Sequence, residues 1–360
     1  MDPSLLRTRP KPPKKPHLIA KIIIFTVTAL LFVAGAYSLK VYTQVKDAVG
    51  KTYQSIDGQK VDSNITGDKP LSILLLGTDT GEFGRTEKGN SDTMIVVTIN
   101  PKTNKTTMTS IPRDTMTQIQ GIKDTDNIQK INAAYNLGDS AAAVKTVEKL
   151  LNIPIQYYVT INMAGLAKIV DSVGGVDVNV PFSWTDANTG NQTFKKGPAH
   201  LNGQRALAYA RMRYEDPEGD YGRQKRQQEV IASIVKSALD VDSLSNYQKV
   251  LDSMSSSLRM NLTFDDLVAI AQHYRKAASH ISHDQLKGVG AYIGQGAYEV
   301  ASTKELQRVS NKIRKQLDLP EETLDNENTR QNKLNVNFNW TAGNNPTYTI
   351  YDENGNPEAY

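Results

Sequence analysis

The rhythm of hydrophobic and polar positions changes several times along the chain. Ile22 to Leu39 reads IIIFTVTALLFVAGAYSL, 18 residues without a charge, or about 27 Å at ~1.5 Å per helical residue. With Leu18, Ile19 and a snorkelling Lys21, the stretch predicts a transmembrane helix over residues 18–39. A cleaved signal peptide competes, because Ala34-Gly35-Ala36 offers small residues, but its apolar region usually runs to only about 7–15 residues. Val41, Val45, Ala48, Val49, Tyr53 and Ile56 recur near helical spacing, broken by Gly50, and predict a short amphipathic stalk. The polar, turn-rich residues up to Pro70 predict a linker, so that residues 40–69 together tether a domain.

From Leu71 the pattern is that of a folded domain over residues 70–320. The run Leu71-Ser72-Ile73-Leu74-Leu75-Leu76 before Gly77 predicts a strand buried on both faces. Met94–Ile99 and Thr106–Ile111 predict two more strands around the turn at Asn100-Pro101-Lys102-Thr103-Asn104. Ser140–Leu151 and Ala164–Asp171 have helical period, with strands expected at Ile155–Ile161 and Val176–Val180. This alternation predicts an α/β fold, a mixed central sheet flanked by helices in an α/β/α arrangement. Further helices are expected at about 223–240, 243–256, 264–279 and 302–317, with one return strand over Gly288–Tyr298. Residues 321–360, rich in Asn, Thr and Gly, predict a loosely ordered polar tail.

Charge changes the picture. The 360 residues sum to +4, but Arg7, Arg9, Lys11, Lys14, Lys15, Lys21 and Lys40 against Asp2 give the first 40 residues +6, leaving −2 for the rest. Basic residues before the apolar segment orient it, with residues 1–17 in the cytoplasm and the domain outside the cell membrane. Only about 17 residues inside are too few for a DNA-binding domain, and nucleic acid is not an expected partner. The absence of cysteine excludes disulfide scaffolds, thiolate zinc sites and cysteine nucleophiles.

Candidate chemistry falls in three places. In the glycine-rich stretch Gly77 to Thr93, Asp79 follows a buried strand and Asp92 opens the next. Such strand ends are where open α/β sheets place ligands. If the loop closes, two converging carboxylates suit Mg²⁺, which takes one or two of them with phosphate oxygens and water; a surface loop with an Asx turn is the plainer reading. Arg113 in Ser110-Ile111-Pro112-Arg113-Asp114-Thr115 has the fork for phosphate, or for an ion pair with Asp114. The densest place is Arg205 to Gln228. Arg211 and Arg213 share a side when extended, and Arg223 and Arg226 share a face if a helix begins near Gly222. Four guanidiniums at one cleft suit a pyrophosphate; a solvated basic helix face is the alternative. Lys130 is a weaker phosphate candidate, and His280 and His283 lack a third metal ligand.

Taken in order, LLLGTD, SDT, SIPRDT, KINAAY, VGGVDV and LNGQRALAYARMRYEDPEGDYGRQKRQ behind one membrane anchor resemble the LytR-CpsA-Psr family of Gram-positive cell-wall enzymes. The match spans roughly Leu71 to Leu239. The resemblance implies a phosphotransferase moving a glycopolymer, wall teichoic acid or capsule, from an undecaprenyl-pyrophosphate carrier to peptidoglycan. It implies Asp79 and Asp92 as magnesium ligands and Arg113, Arg211, Arg213 and Arg223 as pyrophosphate ligands, with Arg226 and Gln227 beside them. The family often carries arginine where Asn90 stands, so Arg85 or Lys88 is left to supply that charge. A prenyl chain needs an apolar groove, for which the helices at Ser140–Leu151 and Ala164–Val173 are candidates. A membrane-anchored protein that binds lipid-linked anions without turnover, as a regulator, is the competing function.

Overall fold

The computed structural model describes residues 39–40, 42–57, 65–79, 88–123, 128–240, 257–341 and 346–358. The expected membrane span lies outside them apart from Leu39, as do Arg85 and the helix expected at 243–256. Among the described residues no helix is long and apolar enough to cross a membrane. The chain divides between Gln44 and Val45, and the folded body runs from Val45 to Tyr360.

Five strands open the body: β1 (Leu71–Thr78), β2 (Ser91–Asn100), β3 (Lys105–Ser110), β4 (Met116–Gln118) and β5 (Ile128–Lys130). Next come β6 (Tyr157–Asn162), β7 (Val176–Val180), β8 (Trp184–Asp186), β9 (Gln192–Phe194) and β10 (Gly197–Leu201). The last four are β11 (Leu258–Met260), β12 (Ile281–Gln285), β13 (Val289–Ile293) and β14 (Gly296–Val300). Six of them form the central sheet in the order β11-β6-β1-β2-β3-β12. It is mixed, since β1 runs antiparallel to β2 but parallel to β6, and β12 runs parallel to β3.

Why β1 lies near the middle is legible in its residues: an apolar run can be buried on both faces only between two layers. On one side Leu74 and Leu76 join Met94 and Val96 in a core with Val144, Val147 and Leu151 of helix Ala133–Leu151 and Val309 and Ile313 of helix Thr303–Gln316. On the other side Leu75 and Val159 face Leu166 and Ile169 of helix Met163–Ser172, Leu207 of helix Gly203–Arg211 and Val230 of helix Asp220–Asp240. Each fully buried aliphatic side chain contributes on the order of 1.5–3 kcal/mol. The mixed α/β sheet with helices on both faces is thus as the alternation implied.

Several expectations need correction. The helix expected from Ser140 is the second part of a longer one, broken where Gly138 and Asp139 leave helical φ/ψ. The stalk is not separate from the domain after residue 44: Val45, Ala48, Val49 and Ile56 are buried, and Gln54 N donates to Met260 O at 2.8 Å. Ile281–Gln285, to which the sequence pattern gives no element, is edge strand β12, whose Ser282 Oγ lies 2.9 Å from Thr107 Oγ1. The single return strand is the hairpin β13–β14. The C-terminal residues are folded, not a loose tail. Phe338, Tyr348 and Ile350 pack on Met116, Ile128 and Ile293, and helix Glu327–Leu334 starts in a capping box made by Asn326. The asparagines that lowered its hydropathy are internal donors; buried Asn328 Nδ2 donates to Met116 O at 2.6 Å.

Candidate functional site

The strand ends on one side of the sheet open into a cavity of about 780 Å³. Its lining brings together Asp79, Asp92, Arg113, Lys130, Arg211, Arg213 and Arg223, residues separated by up to 144 positions in sequence. Asp79 follows β1 directly. Asp92 is the extra residue of a β-bulge, because Gly77 pairs with Thr93 and Thr78 pairs with Ser91. Bulges of this kind re-aim a side chain at the edge of a site. Gly89 completes the carboxylate pair's setting: a Cβ there would stand 2.2 Å from Asp79 Oδ1.

Arg113 sits on a turn fixed just beyond β3, where Thr115 N and Oγ1 both donate to Pro112 O, at 3.0 and 2.7 Å. Its Nη1 donates to Asp92 Oδ1 at 2.7 Å, and its Nε lies 3.7 Å from Asp114 Oδ2. Lys130 Nζ contacts the other oxygen of Asp114 at 2.9 Å. Asp220 bridges two further cations, Arg223 Nη2 at 2.7 Å and Arg213 Nε at 3.8 Å, while Arg223 Nη2 also reaches Asp92 O at 3.2 Å. The ring is cationic but not fully matched: the buried Nε atoms of Arg113 and Arg223 have no hydrogen-bond acceptor.

Electrostatics sharpen this picture. Burial lowers the pKa of Arg223, and the positive charges of Arg113 and Arg213 push the same way against Asp220 and Asp92. Burial also opposes the charge on Arg113, but there the carboxylates of Asp92 and Asp114 prevail and raise its pKa. An anion entering the cavity supplies what the Arg223 side lacks, with the burial of these groups strengthening the attraction.

Two expected pyrophosphate ligands are elsewhere. Arg226 is closed off inside the protein, pairing with Asp216 and donating through Nε to Tyr209 O at 3.0 Å and through Nη2 to Met212 O. Three helical steps are ~300°, which leaves Arg226 about 60° off Arg223 and turned inward. Gln227 also misses the cationic cavity; its Nε2 donates to Ala210 O at 3.4 Å and it lines a second, apolar cleft. Lys88 turns to Asp139 at 2.6 Å and to the Tyr135 ring.

That apolar cleft, about 170 Å³, adjoins the cationic cavity, and the two share Met163 and Arg211. Helix Met163–Ser172 lines it as expected for a groove, whereas the other candidate helix is spent in the core. Residues that the sequence did not single out as site residues also line the cationic cavity: Asn132, Asp186, Asn188, Thr189 and Tyr214. The Asp186 to Gly190 turn shows only ordinary turn chemistry, and nothing in its spacing ties it to the arginines.

Asp79 and Asp92 offer hard oxygens to one cavity, a donor set that fits Mg²⁺. Among the described residues no three His, Cys, Asp or Glu residues are grouped to hold a metal by themselves. A cation here would therefore depend on ligand oxygens and water for the rest of its shell.

Known proteins carry the same architecture. The family model described as the LytR_cpsA_psr family matches residues 38–315. The chain is 43% identical to a polyisoprenyl-teichoic acid–peptidoglycan teichoic acid transferase TagU of Enterococcus faecalis, over 82% of this chain and 96% of the relative. It is 40% identical to biofilm regulatory protein A of Streptococcus mutans, over 85% and 79%. The solved structure of TagT bound to LIIa-WTA superposes with a TM-score of 0.62 at 28% identity, covering 74% of this chain and all of that one. With matching sequence over most of its length and a matching fold, the chain belongs to the LytR-CpsA-Psr family.

Proposed function

We propose that this protein is a membrane-anchored, extracytoplasmic phosphotransferase. It moves a teichoic-acid-type or capsule-type glycopolymer from an undecaprenyl-pyrophosphate carrier onto peptidoglycan, with Mg²⁺ as cofactor. The observation that carries this reading is the junction of a cationic cavity and an apolar cleft at Met163 and Arg211. A prenyl pyrophosphate has that division of character. Named relatives support the reaction class, and the apolar segment at 18–39 with its basic flank supports the anchor and its orientation.

In this reading Arg113, Arg211, Arg213 and Arg223 bind the pyrophosphate oxygens. They also stabilise the charge that builds on the leaving lipid phosphate. Asp79 and Asp92 would hold Mg²⁺, which when bound neutralises phosphate charge. The acceptor hydroxyl oxygen bonds to the phosphorus that carries the polymer, the bridging P–O bond breaks, and lipid monophosphate departs with the electron pair. The hydroxyl proton passes to a carboxylate or to water in the cavity. Lys130, tied to Asp114, adds positive charge at the edge.

The test is release of polyprenyl monophosphate by the full chain in detergent. The donor is polyprenyl pyrophosphate carrying a short glycan. Release is expected with Mg²⁺, to be lost with chelator, and to fall at least ~100-fold in Asp79→Ala. An unchanged rate in that variant sinks the enzymatic mechanism. The name of the Streptococcus mutans relative favours a second reading, a regulator that binds such lipids. Tight binding by the unmodified chain with no release under any metal condition would select it.

A further inference from the structure

The cationic cavity is made by two arms of the fold that lie far apart in sequence. One is the turn after β3 that carries Arg113 and Asp114, and the other is the start of helix Asp220–Asp240, where Asp220 holds Arg223 and Arg213. The charges of Arg113 and Arg213 bear on Arg223, so like charges press the arms apart whenever no anion lies between them. A ring that stays closed without its ligand needs a tie outside it.

Glu299 supplies one. It lies on β14, outside the cavity lining, and reaches both arms. Its backbone N donates to Asp114 O at 2.8 Å, beside a bridge between Thr115 and Glu299. Its side-chain Oε1 accepts from Oη of Tyr221, the residue that follows Asp220. The tyrosine is held at two further points: its hydroxyl accepts from Gly288 N at 2.9 Å, and its carbonyl accepts from Gln285 Nε2 at 2.8 Å. Burial raises the pKa of Glu299, and the carboxylates of Asp220 and Asp114 push the same way against its hydrogen bonds from Tyr221 and Gly288. What the side chain offers Tyr221 is therefore an acceptor more than a charge, and a neutral amide oxygen in the same place would serve.

The strand that carries Glu299 is itself braced. Ala291, Ile293 and Val300 of the hairpin β13–β14 share a core with Phe338, Tyr348 and Ile350. Tyr292 N donates to Pro346 O at 3.0 Å, and Tyr348 N donates to Tyr292 O at 2.8 Å. The family match ends at residue 315, so this brace comes from residues beyond it. Support of that kind is what holds a binding constellation to its geometry.

We infer that Glu299 is a positioning residue for the transfer: through Tyr221 it locks the start of helix Asp220–Asp240 against the Arg113 turn, and so sets the spacing at which Arg113 and Arg223 grip the pyrophosphate. This rests on the proposed function.

The probes are undecaprenyl pyrophosphate, titrated against the full chain in detergent, and the same lipid carrying a short glycan, from which kcat and KM for lipid monophosphate release are measured. The urea midpoint of every variant is recorded alongside. Glu299→Ala keeps the backbone bond to Asp114 and removes the tie to Tyr221, and Tyr221→Phe removes the same tie from the other end. Each is expected to weaken lipid binding about 10-fold and to lower kcat about 10-fold. The double variant loses no more than either alone, and Glu299→Gln, which keeps the acceptor, stays within about 2-fold of the unmodified chain. In an Arg223→Ala background, Glu299→Ala costs less than about 2-fold, because the arginine that it positions is gone. A residue serving stability alone would lower the urea midpoint and leave activity per folded molecule unchanged. That result, or losses that multiply in the double variant or in the Arg223→Ala background, overturns the inference. If Glu299→Ala fails to fold, Tyr221→Phe carries the same comparison. Lipid binding without release by the unmodified chain counts against the proposed transfer, and the binding measurements then decide the inference. No binding at all by the unmodified chain overturns both.

Discussion

The first turns of helix Asp220–Asp240 carry two neighbouring guanidiniums with opposite fates. Turned inward, the side chains of Arg226 and Asp216 are each 3% exposed, and the arginine's remaining donors end on the carbonyls of Tyr209 and Met212. At the cavity, Arg223 shares Asp220 with Arg213 and keeps a buried Nε with no acceptor. The chemistry of the two side chains is the same. What separates them is closure: one charge is completed by the chain, and the other is left for something to bind.

The sharpest way to break this contrast is Arg226→Ala. Removing one member of a buried pair leaves Asp216 unmatched, and stability is expected to fall by ~3–5 kcal/mol, read as a lower urea midpoint with the slope unchanged. Arg223→Ala comes next. It should lower lipid-phosphate release by about 10²–10³-fold, the usual loss for one preorganised donor, while moving the urea midpoint much less. Equal destabilisation by both variants would show that Arg223 is also structural. The smallest effect sharpens the scale: Lys225 pairs with Glu218 at 2.6 Å, but both are more than half exposed. Lys225→Ala should change stability by no more than ~1 kcal/mol and leave activity alone. A larger loss would mean that exposure is a poor guide along this helix.

The same contrast explains what the sequence could disclose. Asp79 and Asp92 were readable because a doubly buried strand announces where its end lies, and ligand sites gather at such ends. Arg211, Arg213 and Arg223 stood out by charge density in an otherwise slightly acidic domain, whereas Arg113, alone beside Asp114, was picked out only by the family resemblance. The places of Arg226 and Gln227 were not readable, because a rotation of ~60° about a helix decides between cavity and core, and the charge pattern is blind to it. Asp186 was hidden for another reason: its turn looks like any other, and only the fold brings it to the cavity lining. The folded C-terminal residues were misread because asparagines that act as caps and internal donors count as polar in any composition. Strand β12 failed for a similar cause, its exposed Ser282 and His283 masking an edge strand.

At two glycines among the described residues, a carboxylate oxygen is the atom nearest to where a side chain would begin. A Cβ at Gly89 would stand 2.2 Å from Asp79 Oδ1, and one at Gly222 would stand 2.1 Å from Asp216 Oδ2. The two pairs differ in what a new side chain would meet: half-buried Asp79 can swing its carboxylate aside, whereas Asp216 is held by the buried Arg226, so that a side chain at Gly222 has to displace a charge pair. A glycine can thus guard an ion pair that it does not touch, by keeping empty the space that the pair needs.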